Sequence, residues 1–154
     1  MLLPVLVAAI ACSPLAWGAA SGEKPPISLD EFFSFVEVHG LALSPDGSRV
    51  YAPSIFTQDI YVLNAEDLKI IGRIKAPFHV RKLEFSADGK YLYAAAYLGG
   101  DVAVYDAASS RRLGSFYVTP RLEGLSATGR YLYAAGAGGL FRIPNDKIIS
   151  SLSR

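Results

Sequence analysis

Apolar residues in this chain fall in short dense runs, not at helical spacing. Ile60-Tyr61-Val62-Leu63, Tyr91-Leu92-Tyr93-Ala94-Ala95 and Val102-Ala103-Val104-Tyr105 are continuous; the first and third are bounded by Asp or Asn, and the second follows Lys90. Runs of this length, rich in aromatic and β-branched residues and punctuated by turn formers, predict strands. A sheet with one wet face would alternate apolar and polar positions. Unbroken runs predict strands covered on both faces.

The runs recur. Leu43-Ser44-Pro45-Asp46-Gly47-Ser48-Arg49-Val50-Tyr51-Ala52 aligns with Phe85-Ser86-Ala87-Asp88-Gly89-Lys90-Tyr91-Leu92-Tyr93-Ala94 and with Leu125-Ser126-Ala127-Thr128-Gly129-Arg130-Tyr131-Leu132-Tyr133-Ala134. The turn glycines at 47, 89 and 129 are spaced by 42 and then 40 residues. In each unit a strand ends in Ser, a tight turn follows with Gly supplying positive φ, and a second strand begins. A loop of small or polar residues leads to a third strand: Asp59 to Asn64, Asp101 to Asp106, Gly139 to Ile143. A polar turn then leads to an outer strand at Lys69 to Ile74, Arg112 to Val118 and Lys147 to Leu152. A period near 40 with four strands per unit predicts an all-β fold of four-stranded antiparallel β-propeller blades. The repeat region is 32–154, with about three blades near 39–76, 79–118 and 121–152. Tyr51, Tyr91, Tyr93, Tyr131 and Tyr133 on the second strands are expected to pack between blades. Phe32 to Val38 reads as one further strand.

The N-terminus differs from this body. Residues Leu2 to Ala11 are apolar apart from Pro4, and no charge precedes Glu23. Gly18 and Ala20 stand at the −3 and −1 places of a signal-peptidase site, which predicts a signal peptide at 1–20 and a periplasmic or secreted location. No Lys or Arg precedes the apolar run, a departure from the usual pattern. A second reading is a lipoprotein signal, since Ala9-Ile10-Ala11-Cys12 resembles a lipobox with Ala9 where Leu is usual. Lipidation at Cys12 would then be the one route to a membrane. Residues 21–31, with Pro25-Pro26, read as a linker.

Composition narrows the chemistry. A formal charge of +1 over 154 residues carries no basic stripe for nucleic acid. The single Cys excludes a disulfide framework within one chain, and two His, His39 and His79, exclude a His-rich metal site. No Ser has a His and an acid in a suggestive context. Gly136-Ala137-Gly138-Gly139 precedes a strand and lacks a Lys, so it is not a phosphate loop. Asp59, Asp101 and Asp106 recur at strand ends and read as turn caps. No catalytic residue, metal or cofactor is assigned.

The candidates that remain are binding residues. His39, Arg81 and Arg121 stand five residues before the Ser of each unit. On successive blades they would point to one channel mouth, where a guanidinium fork suits a carboxylate or phosphate. The competing expectation is pairing with acidic residues of neighbouring blades. Phe56 and Tyr97, in loops sharing that face, could stack on a ligand or partner, or pack against the next blade.

Ser44-Pro45-Asp46-Gly47 through Tyr51 and Val102-Ala103-Val104-Tyr105-Asp106 resemble the YVTN-type propeller repeat, with its S-P-D-G-K-x-x-Y-V turn and V-x-V-I-D strand. WD40 repeats are similar in the F-S-x-D-G-K-x-L segment. They end a strand in W-D where this chain has Tyr105-Asp106, and His79 is a weak echo of their G-H dipeptide. The resemblance covers about residues 36–154 and implies fold more than activity. It implies an exported, non-catalytic binding or scaffold module for a protein or small anionic ligand. The alternative is a fragment or subunit of a periplasmic propeller enzyme of the amine dehydrogenase, cytochrome d1 or lactonase kind. Three blades fall short of a closed ring, so either the chain is a fragment of a longer gene product, or a protein partner or self-association, two chains closing six blades, is expected.

Overall fold

A computed structural model describes residues 40–152. The signal peptide with Cys12, the linker, the strand expected at Phe32 to Val38, and His39 lie outside the described residues. The first sheet is β1 (Ala42–Leu43), β2 (Arg49–Ser54), β3 (Asp59–Asn64) and β4 (Ile70–Lys75), in that order. The second is β5 (Val80–Phe85), β6 (Tyr91–Ala96), β7 (Asp101–Asp106) and β8 (Arg112–Tyr117). The third has three strands, β9 (Gly124–Ala127), β10 (Tyr131–Gly136) and β11 (Gly139–Pro144). All pairings are antiparallel between sequence neighbours.

The outer strand expected at Lys147 to Leu152 is instead a helix, α1 (Asn145–Leu152). Ile148 and Leu152 are four residues apart and share one helical face. Asp146 sits in the first turn, where an acid complements the helix dipole. Ile148 is buried, and Leu152 lies over Gly114 of β8, where a β-carbon would stand 2.5 Å from Leu152 Cδ2. The missing side chain at Gly114 is what lets the helix dock.

The sheets stack through two cores. Tyr51, Ile60, Val62 and Ile74 of the first sheet meet Leu83, Leu92, Ala94, Ala103 and Tyr105 of the second. On the second sheet's other face, Tyr93, Ala95, Val102 and Val104 meet Leu122, Leu132, Ala134 and Ile148. The middle strands β6 and β7 are therefore covered on both sides, which is why their sequences do not alternate. Alanines alternating with large residues let the two faces interlock, as in Leu92-Tyr93-Ala94, and each large side chain buried contributes about 1.5–3 kcal/mol. Tyr51 meets Phe85 edge-on, with ring centroids 5.2 Å apart. The buried Tyr105 donates its hydroxyl to the Lys75 carbonyl of the first sheet at 2.8 Å. By the same register Tyr131 and Tyr133 face away from the second sheet, on the side equivalent to the one through which Tyr51 and Tyr93 meet the next blade. They are half-buried, with centroids 6.2 Å apart and the Arg142 guanidinium 4.8 Å from the Tyr131 ring.

The first two units repeat turn for turn. Ser44 Oγ donates to Asp46 Oδ1 and accepts from the Arg49 amide at 2.9 Å, while Asp46 also accepts from the Ser48 amide. Ser86, Asp88, Lys90 and Tyr91 reproduce this network. These bonds favour the carboxylate. The Ser44 hydroxyl, chiefly, pulls Asp46 down to about 2 from the ordinary 3.8, and Ser86 lowers Asp88. A depressed folded pKa stabilises above the unfolded value and loses that stabilisation as pH falls through the folded one. Acid unfolding should therefore steepen between pH 3.8 and about 2. Asp46→Ala should flatten that limb, measured by urea titration across the window.

Candidate functional site at the channel-side loops

The strand pairing corrects the alignment of the third unit. Phe85 pairs with Leu92 and Ala127 with Leu132, so Ala127, not Leu125, corresponds to Phe85. Ser126 lies within β9, and Thr128 takes the role of Ser86, accepting from the Tyr131 amide at 3.0 Å across a shorter turn. Counting back along the strands, Arg121 corresponds to His79, and Glu123 corresponds to Arg81. Two observations agree. His79 and Arg121 both adopt positive φ, 61° and 54°, and each precedes a fully buried anchor, Val80 or Leu122. Arg121 is thus not the equivalent of Arg81.

Pairing of Val80 with Ala96 brings the start of β5 beside the loop after β6. There the Arg81 guanidinium lies 3.9 Å from the centroid of the Tyr97 ring. Its Nε donates to His79 Nε2 at 3.1 Å, and the His79 and Tyr97 rings are 5.3 Å apart. The bulge between Val80 and Lys82 turns Arg81 out of the ladder and allows this stack. Stacking and the Nε bond fix the plane of the guanidinium, and its two terminal nitrogens make no hydrogen bond among the described residues. Among the described residues no carboxylate pairs with Arg81.

Arg81 and Lys82 of β5, with Gly40 just before β1 and Glu123 just before β9, line an open depression of about 340 Å³. Gly40 has φ 83°, and a β-carbon there would stand 2.9 Å from the Arg81 carbonyl, so the first sheet approaches this point by backbone alone. Two cations and one carboxylate give the depression a single net positive charge. An apolar rim lies at the same end of the sheets: Phe56 is 69% exposed, Phe78 56% and Leu98 55%.

Of the residues singled out from sequence, Arg81 and Tyr97 are in contact. Phe56 stands at the tip of the neighbouring sheet's loop, and Arg121 is exposed on the following connection. His79, Lys82 and Glu123 were not anticipated as site residues. Among the described residues no group of three or more His, Cys, Asp or Glu could hold a metal. No described helix is long and apolar enough to cross a membrane.

This stacking of antiparallel sheets is similar to that of solved structures. U3-55K matches with TM-score 0.57 and 21% identity over 65% of this chain and 33% of its own. Dihydro-heme d1 dehydrogenase NirN matches with TM-score 0.59 and 23% identity over 70% of this chain and 25% of its own. The fold is that of a β-propeller. The periplasmic gluconolactonase PpgL of Pseudomonas aeruginosa matches with TM-score 0.56 and 26% identity, over 65% of this chain and 34% of its own. No family model and no curated relative matches the sequence. The chain spans about a quarter to a third of the length of these propellers, and its three sheets correspond to blades.

Proposed function

We propose that this propeller sector is a binding module that takes a small carboxylate at the depression around Arg81. The observation that carries this reading is the guanidinium stacked at 3.9 Å on Tyr97 and braced by His79, with its terminal nitrogens unspent. A braced fork loses less entropy on gripping a carboxylate than a free one. Glu123 tempers the charge, which suits a monoanion better than a phosphate dianion. The apolar rim of Phe56, Phe78 and Leu98 suits a carboxylate with an apolar body or one carried by a protein partner. In an NMR titration with acetate, Arg81→Gln should weaken binding at least about tenfold, roughly 1.4 kcal/mol. Glu123→Gln should strengthen it. Equal acetate shifts in wild type and Arg81→Gln would end this reading.

A second reading, part of a propeller enzyme, draws on the likeness to the gluconolactonase and to the heme d1 dehydrogenase. Lactone hydrolysis, or a cofactor absorbance in the purified protein, would favour it over a binding role. Export accompanies both readings. The mature protein recovered from the periplasm should begin at Ser21, and an N-terminal lipid on Cys12 in the mass spectrum would replace that with the lipoprotein alternative. Light scattering tests self-association: a discrete dimer is the outcome expected if two copies close one ring.

A further inference from the structure

A second cavity lies at the opposite end of the sheets, between the second and third blades. It encloses about 120 Å³ and is lined by Ser86, Asp88, Tyr91, Tyr93, Asn145 and Ile149 among others. Asn145 opens α1, and its side-chain amide donates from Nδ2 to the Thr128 carbonyl at 2.9 Å. That bond fixes the orientation of the amide, because a flip would set oxygen against oxygen. Asn145 Oδ1 is left buried without a hydrogen-bond partner, the one such side-chain atom among the described residues. An orphaned buried acceptor is destabilising unless a donor meets it.

The neighbours within the wall do not supply that donor. Ser86 Oγ gives its proton to Asp88 and accepts from the Tyr91 amide. Thr128 Oγ1 gives its proton to the Tyr131 carbonyl. The Asp88 carboxylate offers acceptor capacity, and its depressed pKa keeps it ionised at neutral pH. Its nearest cation, Lys90, is solvent-exposed and 3.5 Å away. Tyr91 and Tyr93 add aromatic walls.

The arrangement is not a feature of the repeat. The corresponding space between the first and second blades is lined by Ser44, Asp46, Tyr51, Asp88 and Ala107. Ala107 occupies the place of Asn145, since both donate their amide to the carbonyl that ends the preceding turn, Lys90 or Arg130. The amide acceptor is specific to the second gap.

We infer that the gap between the second and third blades binds a small organic ammonium group, held by Asn145 Oδ1 and the Asp88 carboxylate with Tyr91 and Tyr93 beside it. An ammonium brings the missing donor, a charge opposite to Asp88, and an affinity for aromatic faces. The volume admits a head of a few heavy atoms, each water-sized group needing about 30 Å³. The source is either a free alkylamine or a lysine side chain of a partner protein.

The test is an NMR titration of the full chain with ethylammonium, with N-acetyl-lysine amide, and with the neutral alcohol propanol. Saturable shifts at Tyr91, Asp88 and Asn145 are expected with an ammonium and not with propanol. Saturation should fall in the millimolar range that a ligand of a few heavy atoms allows. Tighter binding of the lysine derivative assigns a protein source, and tighter binding of ethylammonium a free amine. Asp88→Asn keeps the turn acceptor and removes the charge, and it should weaken binding at least tenfold. Tyr91→Leu should weaken it about threefold. Equal response to propanol, or no saturable shift by about 50 mM ethylammonium, overturns the inference and leaves the cavity to water.

Discussion

Replacing Gly100 by alanine should cost about 3 kcal/mol and lower the melting temperature by roughly 15 °C. Two separate effects add at this position. Gly100 has φ 75°, a conformation that costs an L-residue about 1–2 kcal/mol. Its missing β-carbon would also stand 2.5 Å from the Thr119 carbonyl oxygen and 2.8 Å from the carbonyl carbon. That neighbour is backbone and cannot rotate away. Thr119 is itself fixed, being buried and accepting from the Gly138 amide through Oγ1 at 2.9 Å. A control separates the two effects. Gly47 has φ 71° with no atom within 4 Å of the position a β-carbon would take, so Gly47→Ala should lose about 1 kcal/mol. Urea unfolding of both variants checks the difference. Equal losses would mean that the approach to Thr119 is not tight in solution.

Tyr105→Ala should be about as damaging, at about 4 kcal/mol. The ring is 1% exposed between the first two blades, and its hydroxyl is bonded to the Lys75 carbonyl at 2.8 Å. Burial raises the pKa of this phenol, so it remains a neutral donor across the physiological range. Truncation opens a cavity and removes the bond together. Tyr105→Phe removes the bond alone and should cost about 1 kcal/mol. Denaturant midpoints of the two variants, with hydrogen exchange of β4 amides, distinguish cavity from bond. Faster exchange in β4 than in β11 is the expected signature, because Tyr105 ties the first blade and not the third.

Most of the strand framework was legible because the forces that set it are local. Continuous apolar runs marked β3, β6 and β7, and Gly47 and Gly89 marked turns that demand positive φ. The third unit misled for two reasons. The letters Leu125-Ser126-Ala127 mimic the earlier strand ends, yet the turn closes around Thr128, so the register moved by two residues. The repeat also argued for a strand at Lys147 to Leu152, although Asn145-Asp146 followed by Ile148 and Leu152 at a spacing of four is a helix signal. In the candidate site, Arg81 and Tyr97 were both chosen from sequence, but their contact depends on the bulge after Val80, which no local pattern announces. His79, Lys82 and Glu123 became visible only through cross-strand pairing.

The shortened third unit carries a lesson about how such arrays can change length. From β6 to β10 the spacing is 40 residues where β5 to β9 keeps 42, and from β7 to β11 it falls to 38. Each hairpin has lost two residues, never one. Side chains alternate between the faces of a strand, so an even deletion preserves which face each residue serves, and an odd one must be absorbed by a bulge or a different turn. Leu132 and Ala134 keep the burial of Leu92 and Ala94 across the shorter turn. Blades in this chain can therefore differ in length by pairs of residues while the stacking that joins them stays in phase, with no bulge needed to restore it.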